Sequence, residues 1–315
     1  MYKKILVPLD GSELAEEVFT YAKELAGRLN LDVVLLHVSS SDERDSLPMR
    51  QAYIEQRAGI IERDLEKARP KGTKAGGELP EVHGEVVAGY PPEEILRYAD
   101  EHDVDLILLA THGRSGQTRW ALGNVADKVL RTTKVPVWLV HSGIPEEIVY
   151  DKWPTRRVLV ALDGSELAEA VLPHAEEWAI KRGPERVEVV LLRVCEPLAM
   201  PTYYTPELSG LPLRWGEYEQ QEIDRCKQES QEYLAALVNK LAEKGITARS
   251  EVLFGKAAEE IINYANKNPF NLIIMATHGR SGVGRLVYGS VAASVLQGVM
   301  RPLLVVKPQQ TAEKK

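Results

Sequence analysis

Two kinds of hydrophobic spacing alternate along the chain. Runs such as Ile5 to Leu9 and Leu106 to Ala110 are almost continuously apolar, as expected of strands buried on both faces of a parallel sheet. The stretches between them place apolar residues three or four apart among charges, the spacing of amphipathic helices. Over the first half the pattern predicts strands at 3–9, 32–38, 82–88, 104–110 and 135–141, and helices at about 13–29, 50–69, 92–102 and 123–132. Strand and helix alternate throughout, which is the pattern of a doubly wound parallel-sheet α/β domain. Ser12 and Ser165 are placed as helix N-caps with Glu13 and Glu166 in the first turn, and Pro91 opens the third helix.

The pattern then repeats. LDGSELAE stands at Leu9 to Glu16 and again at Leu162 to Glu169, an offset of 153, and ATHGRSG stands at Ala110 to Gly116 and again at Ala276 to Gly282, an offset of 166. The second copy therefore carries 13 additional residues (166 − 153). Most of them follow its second strand, in Glu196 to Tyr218, where Pro197, Pro201, Pro206 and Pro212 predict a long loop. Such a loop is either a surface elaboration or a lid or partner surface. The expected organisation is one domain at 1–143, a linker at 144–155 holding Pro145 and Pro154, a second domain at 156–308 and a disordered tail at 309–315, with five strands per domain. The charged stretches Met49 to Arg69 and Glu219 to Lys244 read as amphipathic packing helices.

Composition narrows the function. At 315 residues with 44% apolar and 27% charged positions, two ordinary globular domains are expected. A formal net charge of −7 argues against nucleic acid or an anionic membrane as a general partner, because both demand basic surface. Cys195 and Cys226, the two cysteines, are too few for a disulfide framework and lie in no metal-binding spacing, so a reducing compartment fits best. The opening apolar run is too short for a signal peptide, and no stretch reaches the ~18 apolar residues of a membrane span. A soluble, cytoplasmic protein is expected.

In a doubly wound sheet, ligands bind at the carboxyl ends of the strands, where strand order reverses. Four segments of each copy converge there. In the first copy they supply Pro8, Leu9 and Asp10, then Val38, then Ala110, His112, Gly113, Arg114 and Gly116, then Gly123, Asn124 and Val125. In the second they supply Ala161, Leu162 and Asp163, then Val194, then Met275, Ala276, His278, Gly279, Arg280 and Gly282, then Gly289, Ser290 and Val291. Glycines let the backbone approach an anion, and the N–H groups opening a helix carry partial positive charge towards it. An aspartate ending the first strand can accept from ribose hydroxyls or adenine. His112 and His278 have no nucleophile or orienting acid placed beside them by sequence, so nucleotide contact is preferred to acid–base catalysis. No G-x-x-x-x-G-K-S/T loop is present to support rapid ATP turnover.

Taken together, these residues resemble the universal stress protein family, whose ATP-binding members carry G-x2-G-x9-G-S/T after the fourth strand and an Asp after the first. The resemblance covers both copies. It implies a Rossmann-like fold of the adenine nucleotide alpha hydrolase type and an ATP site, with Mg²⁺ arriving on the phosphates. ADP, AMP or a cyclic nucleotide would share the adenine and ribose contacts. In the second copy Gly279, Gly289 and Ser290 keep the spacing, with Ala276 in place of the first glycine. In the first copy Gly113 and Gly123 keep it, but Ala110 replaces the first glycine and Asn124 stands where Ser or Thr is expected, which weakens that site. The resemblance also implies that the last strands of the two domains pair across a pseudo-twofold axis within one chain, with a homodimer of chains as a further step. The function implied is a nucleotide-responsive stress regulator with an unidentified protein partner and no metal site of its own. A scaffold without nucleotide and a slow ATP hydrolase are the alternatives.

Overall fold

The computed structural model describes residues 1–12, 17–39, 47–68, 79–111, 122–141, 144, 156–196, 215–278 and 288–308. In the first repeat they form β1 (Lys4–Leu9), α1 (Val18–Leu29), β2 (Asp32–Ser39), α2 (Leu47–Ala68), β3 (Val82–Ala88), α3 (Pro91–Glu101), β4 (Leu106–Ala110), α4 (Asn124–Thr132) and β5 (Val137–Val140). In the second they form β6 (Arg156–Ala161), a single turn α5 (Glu166–Glu169), α6 (Leu172–Arg182), β7 (Val187–Cys195), α7 (Trp215–Glu243), β8 (Thr247–Phe254), α8 (Ala257–Lys267), β9 (Leu272–Ala276), α9 (Ser290–Gly298) and β10 (Leu303–Val306).

All ten strands lie in one sheet of order β3-β2-β1-β4-β5-β10-β9-β6-β7-β8. The order reads the same from either edge, and every pairing is parallel except the central one, where β10 runs antiparallel to β5 with Leu304 opposite Trp138. The two last strands pair as the resemblance implies. Strand side chains alternate between faces, so Ile5 and Val7 enter one apolar layer with Trp138 and Leu304. Leu6 enters the other with Val137, Leu139, Leu303 and Val305. Each layer therefore crosses the β5–β10 seam, and burial of both sheet faces explains why the strands read as unbroken apolar runs.

Within each repeat the order reverses between β1 and β4, or between β6 and β9, which pair directly. The carboxyl ends of those strands open the crevice expected of this topology. Polar contacts join the repeats on both sides of the seam. The Glu24 carboxylate of α1 receives Arg156 at 3.2 Å and also Arg182 of α6. Tyr2 meets His174 at 2.6 Å, and Tyr288 donates to Asp127 Oδ1 at 2.7 Å.

Two expectations change, and a third lies outside the described residues. The helix expected to follow Ser165 is divided at Ala170 and Val171, and α6 begins again with Pro173 in its first turn, where a missing N–H costs nothing. Residues 215–218, expected in a loop, already belong to α7; the rest of the insertion from 197 onwards lies outside the described residues. The helix after Ser12 is described only from Val18, and the segment that Ser12 would cap, together with the linker apart from Ile144, also lies outside them. Among the described residues no helix is long and apolar enough to cross a membrane.

Candidate functional site

The repeated Asp-Gly-Ser string folds into the same turn twice. Asp163 Oδ1 accepts the Ser165 backbone N–H at 2.9 Å and its hydroxyl at 2.6 Å. Ser165 Oγ accepts in turn from Ala168 N–H at 3.2 Å and caps α5, as expected of it. Gly164 has φ +85°, a conformation that favours glycine, and a Cβ there would stand 3.1 Å from the Arg193 guanidinium carbon, which would have to give by a few tenths of an ångström. In the first repeat Asp10 Oδ1 accepts from Ser12 N–H and Oγ–H at 2.9 and 2.6 Å, with Gly11 at φ 78°. Each carboxylate thus closes a turn, a role sequence reasoning missed.

The second strands differ. Val38 and Val194 are both half-buried near the ends of β2 and β7, but their preceding neighbours are not alike. His37 is buried with Nδ1 2.8 Å from Leu9 O. Arg193, at the same place in the second repeat, lies over the Tyr233 ring at 5.4 Å. Burial, reinforced by Glu169, pushes the Tyr233 phenol well above its ordinary pKa, so it stays neutral beside that cation.

After β9, Thr277 Oγ1 lies 2.9 Å from His278 Nδ1, and Gly289 N–H donates to Thr277 O at 2.9 Å. That bond brings the N-terminus of α9 against the end of β9. No side chain among the described residues caps α9 and its first turn holds no acid, so the N–H groups opening the helix keep their positive character. Gly289 has φ −58°, which any residue adopts, and a Cβ would meet only Thr277 O at 3.5 Å, an ordinary contact. Backbone conformation does not require glycine here.

These segments enclose a cavity of about 390 Å³. Its wall holds the expected Ala161, Leu162, Asp163, Val194, Met275, Ala276, His278, Gly289, Ser290 and Val291. It also holds Arg193, Glu196, Thr277, Cys226 and the α8 residues Ala257 and Ile261, which sequence reasoning did not single out. Thr277 could have been found inside the repeated ATHGRSG string. Glu196, whose Oε1 accepts from Ala257 N–H at 2.9 Å, carried no signal. Gly279, Arg280 and Gly282 lie outside the described residues.

In the first repeat Pro8 and Leu9 end β1 with Asp10 after them, Ala110 ends β4, and Asn124 and Val125 open α4. Gly123 N–H donates to Thr111 O at 2.7 Å, reproducing the closure at Gly289. Thr111 Oγ1, however, lies 3.3 Å from His141 Nδ1, and the first turn of α4 carries Asp127. Burial pushes the Asp127 carboxyl up, but Arg131 and Tyr288 outweigh it and hold it below the usual range. His112, Gly113, Arg114 and Gly116 lie outside the described residues. Among the described residues no group of three or more His, Cys, Asp or Glu side chains is gathered as for a metal ion.

Cys195 at the end of β7 and Cys226 in α7 form a disulfide with Cα atoms 6.1 Å apart, a pairing that sequence reasoning did not make. One residue ends a strand and the other lies a helix away, a proximity that spacing does not encode.

Comparison with known proteins matches both repeats, residues 1–141 and 154–307, to the model of the universal stress protein family. A universal stress protein of Methanocaldococcus jannaschii is 34% identical over 154 residues, covering 44% of this chain and 95% of its own. One from Mycobacterium tuberculosis is 23% identical over 310 residues, covering 96% of each chain. The crystal structure of a functionally unknown protein from Pseudomonas aeruginosa superposes with a TM-score of 0.64 at 18% identity, covering 98% of this chain and 93% of that one, a likeness of fold.

Proposed function

Since the chain belongs to the universal stress protein family, we propose that its second repeat binds an adenine nucleotide, ATP in the first instance, and acts as a nucleotide-responsive regulator rather than a rapid catalyst. The observation that carries this reading is Gly289. It sits at the opening of a helix that no side chain among the described residues caps, on the wall of a 390 Å³ cavity, at a position where the backbone would accept a side chain. Leaving that space open suits a phosphate chain resting on the first N–H groups of α9.

Asp163 would face the ribose, Val194 and Met275 would flank the base, and Mg²⁺ would come with the phosphates. Occupancy would alter the surface offered to a protein partner. Asp127, in the first turn of α4, makes the first repeat a less favourable host for an anion.

Gly289→Asp tests the reading. A carboxylate about 4 Å from the phosphates opposes them by about 4 kcal/mol at the effective dielectric of a protein surface, so ATP affinity measured by titration calorimetry falls at least a hundredfold. Gly289→Ala serves as the folding control, since its methyl meets an ordinary contact. A folded Gly289→Asp protein with unchanged ATP affinity would sink the assignment.

A further inference from the structure

We infer that the Cys195–Cys226 pair is a thiol–disulfide switch that sets how firmly the cavity of the second repeat holds its ligand. The inference rests on the nucleotide reading above. Cys226 lies on the cavity wall, in the same wall as Glu196, the residue after Cys195. The bond therefore ties two parts of the rim, the end of β7 and the N-terminal half of α7.

Helix α7 depends on that tie unevenly. Its fully anchored positions, Ser230, Leu234, Leu237 and Leu241, recur at helical spacing and are all buried. All of them lie beyond Cys226. From 220 to 229 no side chain is buried. Non-covalent packing holds the C-terminal part of the helix, and among the described residues the disulfide is the strongest attachment of the part that borders the cavity.

The pair is also arranged for exchange. Cys226 is half-exposed, whereas Cys195 is 2% exposed, so an attacking thiolate reaches Cys226 Sγ. Ser230 Oγ lies 3.4 Å from Cys195 Sγ, and in the oxidised state only the hydroxyl can donate. That donor stabilises the thiolate leaving from Cys195.

Reduction by a dithiol then proceeds in two balanced steps. Its thiolate bonds to Cys226 Sγ as the Cys226–Cys195 bond breaks, and Cys195 leaves as a thiolate that takes up a proton. The second thiol of the reductant, on losing its proton, displaces Cys226, leaving the reductant as a cyclic disulfide and the protein with two thiols. Two electrons pass to the protein, and a disulfide oxidant reverses the sequence. In a thiol-rich compartment a pair of this kind cycles with redox poise instead of serving as a permanent staple.

The test uses the full chain with ATP as probe. Samples are oxidised with glutathione disulfide or reduced with dithiothreitol, and free thiols are counted by alkylation and mass spectrometry. Calorimetry should give ATP binding at least about fivefold weaker in the reduced protein, the lower end of measured coupling between sites. Cys226→Ser should match the reduced value in both buffers, and amide exchange across 220–226 should be faster after reduction. Equal affinity in verified oxidised and reduced samples, unchanged exchange, or two free thiols persisting after oxidation would each overturn the inference alone. Failure of ATP to bind in either state would overturn the nucleotide reading as well.

Discussion

Acidifying the solution from pH 7.5 to 4.5 should loosen the seam between the repeats at His174. The imidazole is 7% exposed and its Nδ1 lies 2.6 Å from the Tyr2 hydroxyl, whose pKa burial raises, so the phenol stays protonated and shares a neutral hydrogen bond with the ring. Burial pulls the His174 pKa down to about 4, against a smaller opposing pull from Glu177. In the unfolded chain it returns to about 6.5.

Between those values the unfolded state binds the additional proton. The contribution to stability is complete above about pH 6.5 and is lost as pH falls towards 4. Integrated from pH 7.5 to 4.5, this amounts to about 2.5 kcal/mol. Urea unfolding of the wild type and of His174→Gln at the two pH values isolates the term, because every other titrating group is common to both. The wild type should lose about 2.5 kcal/mol more than the variant over that interval. Parallel pH profiles would refute the assignment of a buried neutral imidazole.

Two further perturbations probe packing. Glu24→Ala removes a carboxylate shared by Arg156 and Arg182, whose side chains are 4% and 5% exposed, and should cost about 3–5 kcal/mol in denaturant unfolding, the range for breaking a buried ion pair. A change below about 1 kcal/mol, the range of exposed pairs, would show that solvent already compensates the pair. Gly84 and Gly59 should respond in opposite directions to alanine. A Cβ at Gly84 would fall 2.1 Å from Ile54 Cγ2 on α2 and should cost about 1–3 kcal/mol, whereas one at Gly59, inside α2, meets nothing within 4 Å and should raise the unfolding free energy by about 0.5–1 kcal/mol. The same sign at both positions would refute the packing of α2 on β3.

Much of this architecture was legible because the chain states it twice. LDGSELAE and ATHGRSG fixed the repeat, and the apolar runs at Ile5 to Leu9 and Leu106 to Ala110 predicted strands that the structure places with both faces covered. The crevice followed from topology, and ten of the residues expected around it share one cavity wall. The remainder was not local information. Arg193 could be recognised as a wall residue only once β7 lay beside the turn at Gly164. The break between α5 and α6 depends on how Pro173 restarts a helix, which periodicity alone blurs. The helical start at Trp215 was hidden by the preceding prolines and by Gly216, a poor helix former.

Fusion of the repeats has a physical consequence that appears in the seam. A symmetric dimer presents every interface contact twice, so any substitution is felt on both sides of the axis. Here the two sides have separated. Glu24 and Glu177 stand 153 residues apart at the same place in their repeats, and both meet cations. Glu24 gathers two buried guanidiniums from the other repeat, whereas Glu177 takes the Met1 amine at 2.8 Å and Lys181 of its own helix at 3.5 Å, and the amine holds its carboxyl below the usual range. The Tyr288–Asp127 bond has no reciprocal at all, because the positions 166 residues away hold Leu122 and Ala293. That contact joins the residue before Gly289 to the first turn of α4. A helix N-terminus of the first repeat is thereby committed to supporting the loop end of the second. Divergence across the axis has thus left one repeat with a helix whose first turn holds no acid, open to its cavity, and the other with Asp127 at the corresponding helix start, already engaged by its neighbour.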